Sequence, residues 1–126
     1  MAELASVFKY RIVRISRHRR SIIPFIRAIK EGYPGFIAVD GPLGPPRETK
    51  AGAIYIARKS GAKIVPLAVQ ARRGFLLNRW DNHYIPLPFN NIIVSIGRPI
   101  VVKEGDSLKV KREEVTRTLL ELTQIN

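Results

Sequence analysis

The chain has 126 residues, of which 45% are hydrophobic, and this length predicts one domain (residues 1–126) with a modest core. It contains no cysteine, which excludes a disulfide framework and a cysteine nucleophile, and no apolar run approaches the ~20 residues that span a bilayer. The formal net charge of +12 favours anionic partners, namely nucleic acid, an acidic membrane surface or a phosphorylated cofactor.

The first 30 residues carry an excess of Lys and Arg against the single acidic residue Glu3, which predicts one basic face. Residues 8–12 alternate apolar and basic side chains, as a half-buried strand does. Residues 14–21 are polar and cationic, which is typical of a loop. A helix is predicted next, with Ser21 as N-cap, Pro24 in the first turn and Gly32 at its end.

The centre of the chain is a strand–loop–helix sequence. Residues 36–39 are apolar and predict a buried strand, and residues 51–59 predict a helix that Gly61 ends. The loop between them is rich in Gly and Pro and carries Asp40, Arg47 and Lys50. Since ligands of open α/β sheets bind just outside the carboxyl ends of strands, this loop is a candidate ligand site. The alternative is a rigid connection without a ligand.

The second half predicts strands at residues 63–69, 75–78, 91–96 and 100–103. Pro66 cannot donate a ladder hydrogen bond, so we expect it at a bulge or a sheet edge. A turn at residues 104–107 precedes a C-terminal helix with Val115, Thr118, Leu119 and Leu122 on one face. Strands that alternate with helices predict an α/β fold, a layered sheet with flanking helices.

Residues 40–45 (DGPLGP), followed by Lys50, Gly52 and Ala53, resemble the third motif of a bacterial family of domains of unknown function that is related to lysophospholipid and glycerol-phosphate acyltransferases. The resemblance covers most of residues 10–102. Further similar motifs follow in order: Ala57-x-x-Ser60-Gly61, Ile64-Val65-Pro66-Leu67, Trp80-Asp81, Ile85-Pro86-Leu87-Pro88-Phe89 and Gly97-x-Pro99-Ile100. The resemblance implies a fold like that of the glycerolipid acyltransferases, but one that lacks the N-terminal part of that fold.

The resemblance also implies a reaction, the transfer of a fatty acyl group from acyl-CoA or acyl-carrier protein to a lysophospholipid-like acceptor, with no metal or bound cofactor. It implies a cytoplasmic protein, peripheral at the inner face of the membrane. The family's general base is the histidine of a His-x-x-x-x-Asp motif. Neither His18 nor His83 is followed by Asp at that spacing. We therefore expect this chain to be a partial domain and inactive alone, and its assignment as an enzyme stays open.

By the same resemblance, two loops bind the substrate. Their residues are Ser16, Arg17, Arg19 and Arg20 in the first loop, and Asp40, Gly41, Pro42, Gly44, Arg47 and Lys50 in the second. The first loop lacks the family's glycines, and Leu43 replaces an arginine of the second. A solvated basic surface is the alternative for the first loop, and a loop-ordering role is the alternative for Asp40.

Several other assignments stay open. His18 either contacts substrate or is an ordinary exposed histidine, and Asp81 could orient His83 as a substitute base. The rings of Trp80, Tyr84 and Phe89 either pack on the sheet, which is the commoner role, or face lipid. The rival function is a non-catalytic basic module that binds anionic lipid or nucleic acid, although no nucleic-acid motif is present. An incomplete sheet would expose an edge and favour self-association.

Overall fold

A computed structural model describes residues 22–40, 45, 47–77 and 84–124. The chain divides into two compact units, residues 1–36 and residues 37–126. The elements are, in chain order, α1 (Ile23–Lys30), α2 (Ala51–Ser60), β1 (Leu67–Ala71), β2 (Gly74–Leu76), β3 (Tyr84–Pro86), β4 (Ile92–Ile96) and α3 (Leu108–Gln124). The predicted strand at residues 8–12 lies outside the described residues.

Helix α1 belongs to the first unit. It has a proline in its first turn, as predicted, and Ile22 occupies its N-cap position without a side-chain cap, while Ser21 lies outside the described residues. The helix ends before Gly32, whose φ of 95° is a left-handed conformation that glycine adopts without strain. A Cβ at Gly35 would lie 2.6 Å from Cζ of Phe25, so the lack of a side chain there lets the returning chain pass the Phe25 ring.

The core of the second unit lies between α2 and α3. Ile54 and Ala57 of α2 pack with Val115 of α3, and the extended segment after β4 adds Ile100 and Val102. Ile54 and Val115 are fully buried. The predicted apolar face of α3 is therefore confirmed, since Val115 and Leu122 are buried.

The C-terminal end of α2 is fixed by its cap and by the turn before α3. Gly61 has a φ of 75°, and its N–H donates to the Ala57 carbonyl at 2.9 Å, as the predicted glycine stop requires. Lys59 Nζ lies 3.1 Å from Glu104 Oε1, and the Arg58 guanidinium donates to the Asp106 carbonyl. The predicted turn at residues 104–107 is present and is held against α2 by these contacts.

The described strands form two separate two-stranded antiparallel sheets. Strand β1 pairs with β4, with Val69 opposite Val94, and β2 pairs with β3, with Phe75 opposite Ile85. The α/β class is confirmed, and these strands do not join into one layered sheet. Helix α3 packs against β1 and β4, where Gln70 Nε2 donates to the Thr123 carbonyl at 2.6 Å.

Several predicted strands were wrong in extent. Residues 36–39 form no strand and Phe36 is 77% exposed, because no described strand provides a hydrogen-bonding neighbour for this segment. The strand predicted at residues 63–69 begins only at Leu67, since Pro66 cannot donate; Ile64 instead forms an isolated bridge with Ile100. Residues 100–103, predicted as a strand, form only this bridge at Ile100. Strand β2 lies at Gly74–Leu76 and so starts earlier than predicted, and β3 was missed.

Gly97 allows the chain after β4 to lie directly against α3. A Cβ at this position would lie 3.1 Å from Thr118 Cγ2 and 3.2 Å from Leu122 Cδ1. The Gly97 N–H donates to the Pro66 carbonyl at 2.8 Å, which holds the two segments together. The Gly97-x-Pro99-Ile100 motif therefore has a packing role in this fold.

Candidate functional site

The loop between Val39 and Lys50 is closed at its base by the backbone. The Lys50 N–H donates to the Val39 carbonyl at 2.6 Å, which brings the two ends of the loop together at the start of α2. One residue earlier, the Thr49 N–H donates to Oγ1 of Thr116 on α3 at 3.2 Å. The position of the loop thus depends on the packing of α2 against α3.

Charged side chains of both signs lie along this loop. Asp40 and Lys50 are half-buried, whereas Arg47 and Glu48 are exposed. Arg47 has a φ of 65°, a left-handed conformation that is uncommon outside glycine. The ion pairs within the described part of the chain join Lys59 to Glu104 and Lys111 to Glu114, so no described carboxylate neutralises Arg47 or Lys50 by a direct ion pair.

The first turn of α2 is open. Lys50 is its N-cap residue and makes no side-chain cap hydrogen bond, and no acidic residue lies in the first turn. A Cβ at Gly52 would meet no atom within 4 Å, so the turn is accessible from outside. The N–H groups of an uncapped first turn, together with the helix dipole, attract anions. Arg47 and Lys50 are close in sequence to these amides, and the arrangement suits a phosphate or carboxylate group.

Thr49 was missed by sequence reasoning. It is only 3% exposed, and its Oγ1 has no hydrogen-bond partner among the described residues. A buried hydroxyl without a partner is costly, and its backbone N–H is already used in the contact with Thr116. A threonine just before a predicted helix was the available sequence signal, but the contact with α3 joins residues 67 positions apart.

Much of the predicted site lies outside the described residues. This applies to the whole first loop and to three residues of the second: Ser16, Arg17, Arg19, Arg20, Gly41, Pro42 and Gly44. It applies equally to His18, Trp80, Asp81 and His83. The structure brings Lys50 back to Val39, the residue that precedes Asp40.

Two later segments, residues 64–67 and residues 84–89, differ in their burial from what the sequence predicted. Val65 and Leu67 are exposed whereas Pro66 and Ala68 are buried, so the segment predicted as a strand is buried on one side only. Phe89 is 99% exposed, which makes the packing expected for this ring wrong, while Tyr84 is 38% exposed. Among residues 22–40, 45, 47–77 and 84–124, no three His, Asp or Glu side chains come together to hold a metal ion. Nor does any helix of these segments have the length and apolar character to cross a bilayer.

Comparison with known proteins yields one distant relative. The chain is similar to an uncharacterised protein of Rickettsia prowazekii (strain Madrid E), with 27% identity over 124 residues, and the match covers 92% of this chain. It covers 57% of the relative, so the chain spans little more than half of that protein's length. No protein-family model matches the chain, and no solved structure matches it.

Proposed function

We propose that this chain is part of an acyltransferase-like domain and binds the phosphate of a lysophospholipid-like acceptor. The observation that carries the proposal is the open first turn of α2, whose N-cap residue Lys50 makes no side-chain cap hydrogen bond and which contains no acidic residue. Arg47 and Lys50 are close to it in sequence, and no described carboxylate forms a direct ion pair with either of them. The same proposal includes a fold related to the glycerolipid acyltransferases and a cytoplasmic location at the inner face of the membrane.

Physical chemistry supports an anion at this position. The N-terminus of a helix carries roughly half a positive charge, and its N–H groups are directed at a bound ligand. An arginine adds a planar, bidentate donor for phosphate oxygens. Asp40 and Glu48 balance the formal charges of Arg47 and Lys50, so the preference for an anion rests on the backbone amides and on the chain's net charge of +12.

The proposed reaction requires a group that is not assigned within these residues. An acceptor hydroxyl attacks the thioester carbon of acyl-CoA or acyl-carrier protein, its proton passes to a general base, and the thiolate leaves. A positioned base typically contributes ~10²–10⁴-fold. The proposal assigns acceptor binding to this chain and the base to a histidine outside the 126 residues.

Two glycines provide a matched test of the site. Neither Gly52 nor Gly105 would bring a Cβ within 4 Å of another atom, and neither has a positive φ. We expect Gly52→Ala to raise the melting temperature, since alanine stabilises a helix by up to ~1 kcal/mol over glycine. The same methyl would obstruct a phosphate at the first turn, so affinity for glycerol 3-phosphate, measured by calorimetry, should fall. Gly105→Ala should leave that affinity unchanged.

Arginine variants give the second test. Arg47→Ala should weaken binding of glycerol 3-phosphate or lysophosphatidic acid roughly tenfold or more, because a charge-assisted hydrogen bond is worth about 1.5–3 kcal/mol. Arg98→Ala removes another exposed arginine, away from the loop, and should bind as the wild type does. Wild-type affinity in both Gly52→Ala and Arg47→Ala would overturn the proposed site.

The rival function is a non-catalytic basic module on anionic lipid. The net charge of +12 favours it, because basic segments bind anionic membranes without a defined pocket. The glycine pair separates the two proposals: a diffuse basic surface predicts no effect of Gly52→Ala, whereas a phosphate site predicts a loss of binding. Binding that depends only on ionic strength would favour the basic module.

A further inference from the structure

The hairpin segment, which we define as residues 72–76 and 84–91, exposes several large apolar side chains. It contains the β2–β3 hairpin and the chain that returns to β4. Five of its large apolar side chains are exposed: Phe75, Leu76, Tyr84, Leu87 and Phe89. Within the described part of the chain, Phe89 is almost entirely in solvent, at 99% exposure. Exposed apolar clusters of this kind mark surfaces of interaction.

The chain around Phe89 is held by hydrogen bonds. The Asn90 side chain bonds both backbone groups of Arg73: its Oδ1 accepts from the Arg73 N–H at 3.1 Å, and its Nδ2 donates to the Arg73 carbonyl. The Leu87 N–H donates to the same carbonyl at 3.1 Å, and the Arg72 N–H donates to the Asn91 carbonyl at 3.2 Å. Phe89 is therefore presented from a loop that is fixed on both sides.

The backbone of Phe89 is itself unusual. Its φ is 55°, in the left-handed region that bulky residues rarely occupy. Such conformations persist where surrounding contacts enforce them, and they concentrate at functional sites. Here the Asn90 side chain holds the neighbouring backbone, and the ring of Phe89 is 99% exposed. An apolar partner outside the chain would bury it.

The charges of the hairpin segment indicate the partner. Arg72 and Arg73 are both exposed, and their backbone hydrogen bonds place them beside the chain that carries Leu87 and Phe89. The segment contains no acidic residue. Aromatic rings with adjacent cations suit the interface of an anionic bilayer, where rings enter the boundary and arginines meet phosphates. A second copy would bring the same cations together and is disfavoured.

We infer that the hairpin segment is a membrane anchor that inserts Phe89 and Leu87 into the interface of an anionic bilayer, with Arg72 and Arg73 on the lipid phosphates. The inference rests on the membrane location proposed above, and it is independent of acyl transfer and of the phosphate site at α2. Asn90 acts as a positioning residue, because it holds the loop that presents the ring.

Vesicle binding tests the anchor with a matched pair of phenylalanines. With vesicles of phosphatidylglycerol and phosphatidylcholine, Phe89→Ser should weaken partitioning of the full chain roughly tenfold or more, given the free energy of burying such a ring. Phe36 is 77% exposed and lies outside the segment, so Phe36→Ser should bind as the wild type does. Arg72→Gln and Arg73→Gln should each weaken binding to anionic vesicles roughly fivefold, with a smaller effect on zwitterionic ones.

Trp80, the only tryptophan of the chain, lies in sequence between β2 and β3 and serves as a reporter. Its emission should shift to the blue on addition of anionic vesicles and be quenched by brominated lipid. Wild-type partitioning by Phe89→Ser would overturn the anchor. A blue shift without lipid that follows protein concentration equally in the wild type and in Val94→Lys, which disrupts pairing at β4, would also overturn it and would identify another copy of the chain as the partner. Glycerol 3-phosphate binding is measured without vesicles. A negative result for the anchor therefore does not bear on the phosphate site at α2, and a negative result for the phosphate site does not bear on the anchor.

Discussion

Replacing Thr116 with valine tests whether α3 holds the candidate loop in place. Thr116 Oγ1 accepts a hydrogen bond from the Thr49 N–H at 3.2 Å, and Thr49 is only 3% exposed. Thr116→Val keeps the shape of the side chain but removes the acceptor, which leaves a buried N–H without a partner. That loss costs about 1–3 kcal/mol of unfolding free energy. At roughly 2.1 cal/mol/K of unfolding entropy per residue, it lowers the melting temperature by roughly 4–11 °C.

Thr118→Val is the matched control on the same helix. Thr118 Oγ1 donates to the Glu114 carbonyl one turn earlier, and this local bond adds little to a helix whose backbone is already paired. We expect its unfolding free energy to stay within about 0.5 kcal/mol of the wild type. Circular dichroism during thermal and urea unfolding measures both variants. Equal stability of Thr116→Val, Thr118→Val and the wild type would show that the contact between Thr49 and Thr116 does not hold the loop.

Three further predictions concern chemistry, lipid and assembly. The purified chain should show no acyl transfer from labelled acyl-CoA to a lysophospholipid, because no His-x-x-x-x-Asp motif is present; turnover that His83→Ala abolishes would refute this. The triple change of Arg17, Arg19 and Arg20 to alanine should weaken binding to anionic vesicles by about two orders of magnitude at low salt, and equal binding would exclude a role for this cluster. The chain should self-associate at high micromolar concentration in sedimentation, and Val94→Lys on the exposed side of β4 should reduce this; a wild-type monomer would contradict the idea.

The sequence by itself determined the helices and most of their ends. Val115 and Leu122 are buried on one face of α3, as their spacing predicted, and Gly61 ends α2 in a left-handed conformation. The position of β4 was also close to its prediction, because a run of β-branched residues is a local signal. Of the candidate site, the sequence indicated the charged residues Arg47 and Lys50 and the start of the helix beside them.

Only the tertiary structure decided which segments pair and which side chains reach the surface. Residues 36–39 are as apolar as a buried strand, yet a strand needs neighbours that supply hydrogen bonds, and composition says nothing of those. Thr49 is buried because it meets Thr116 across 67 residues of sequence. Phe89 is exposed in a loop that the Asn90 side chain ties to the backbone of Arg73, 17 positions earlier. Contacts between residues far apart in the chain leave no periodic pattern in it, so residues of one type, such as the buried Thr49 and the exposed Thr123, end in opposite environments.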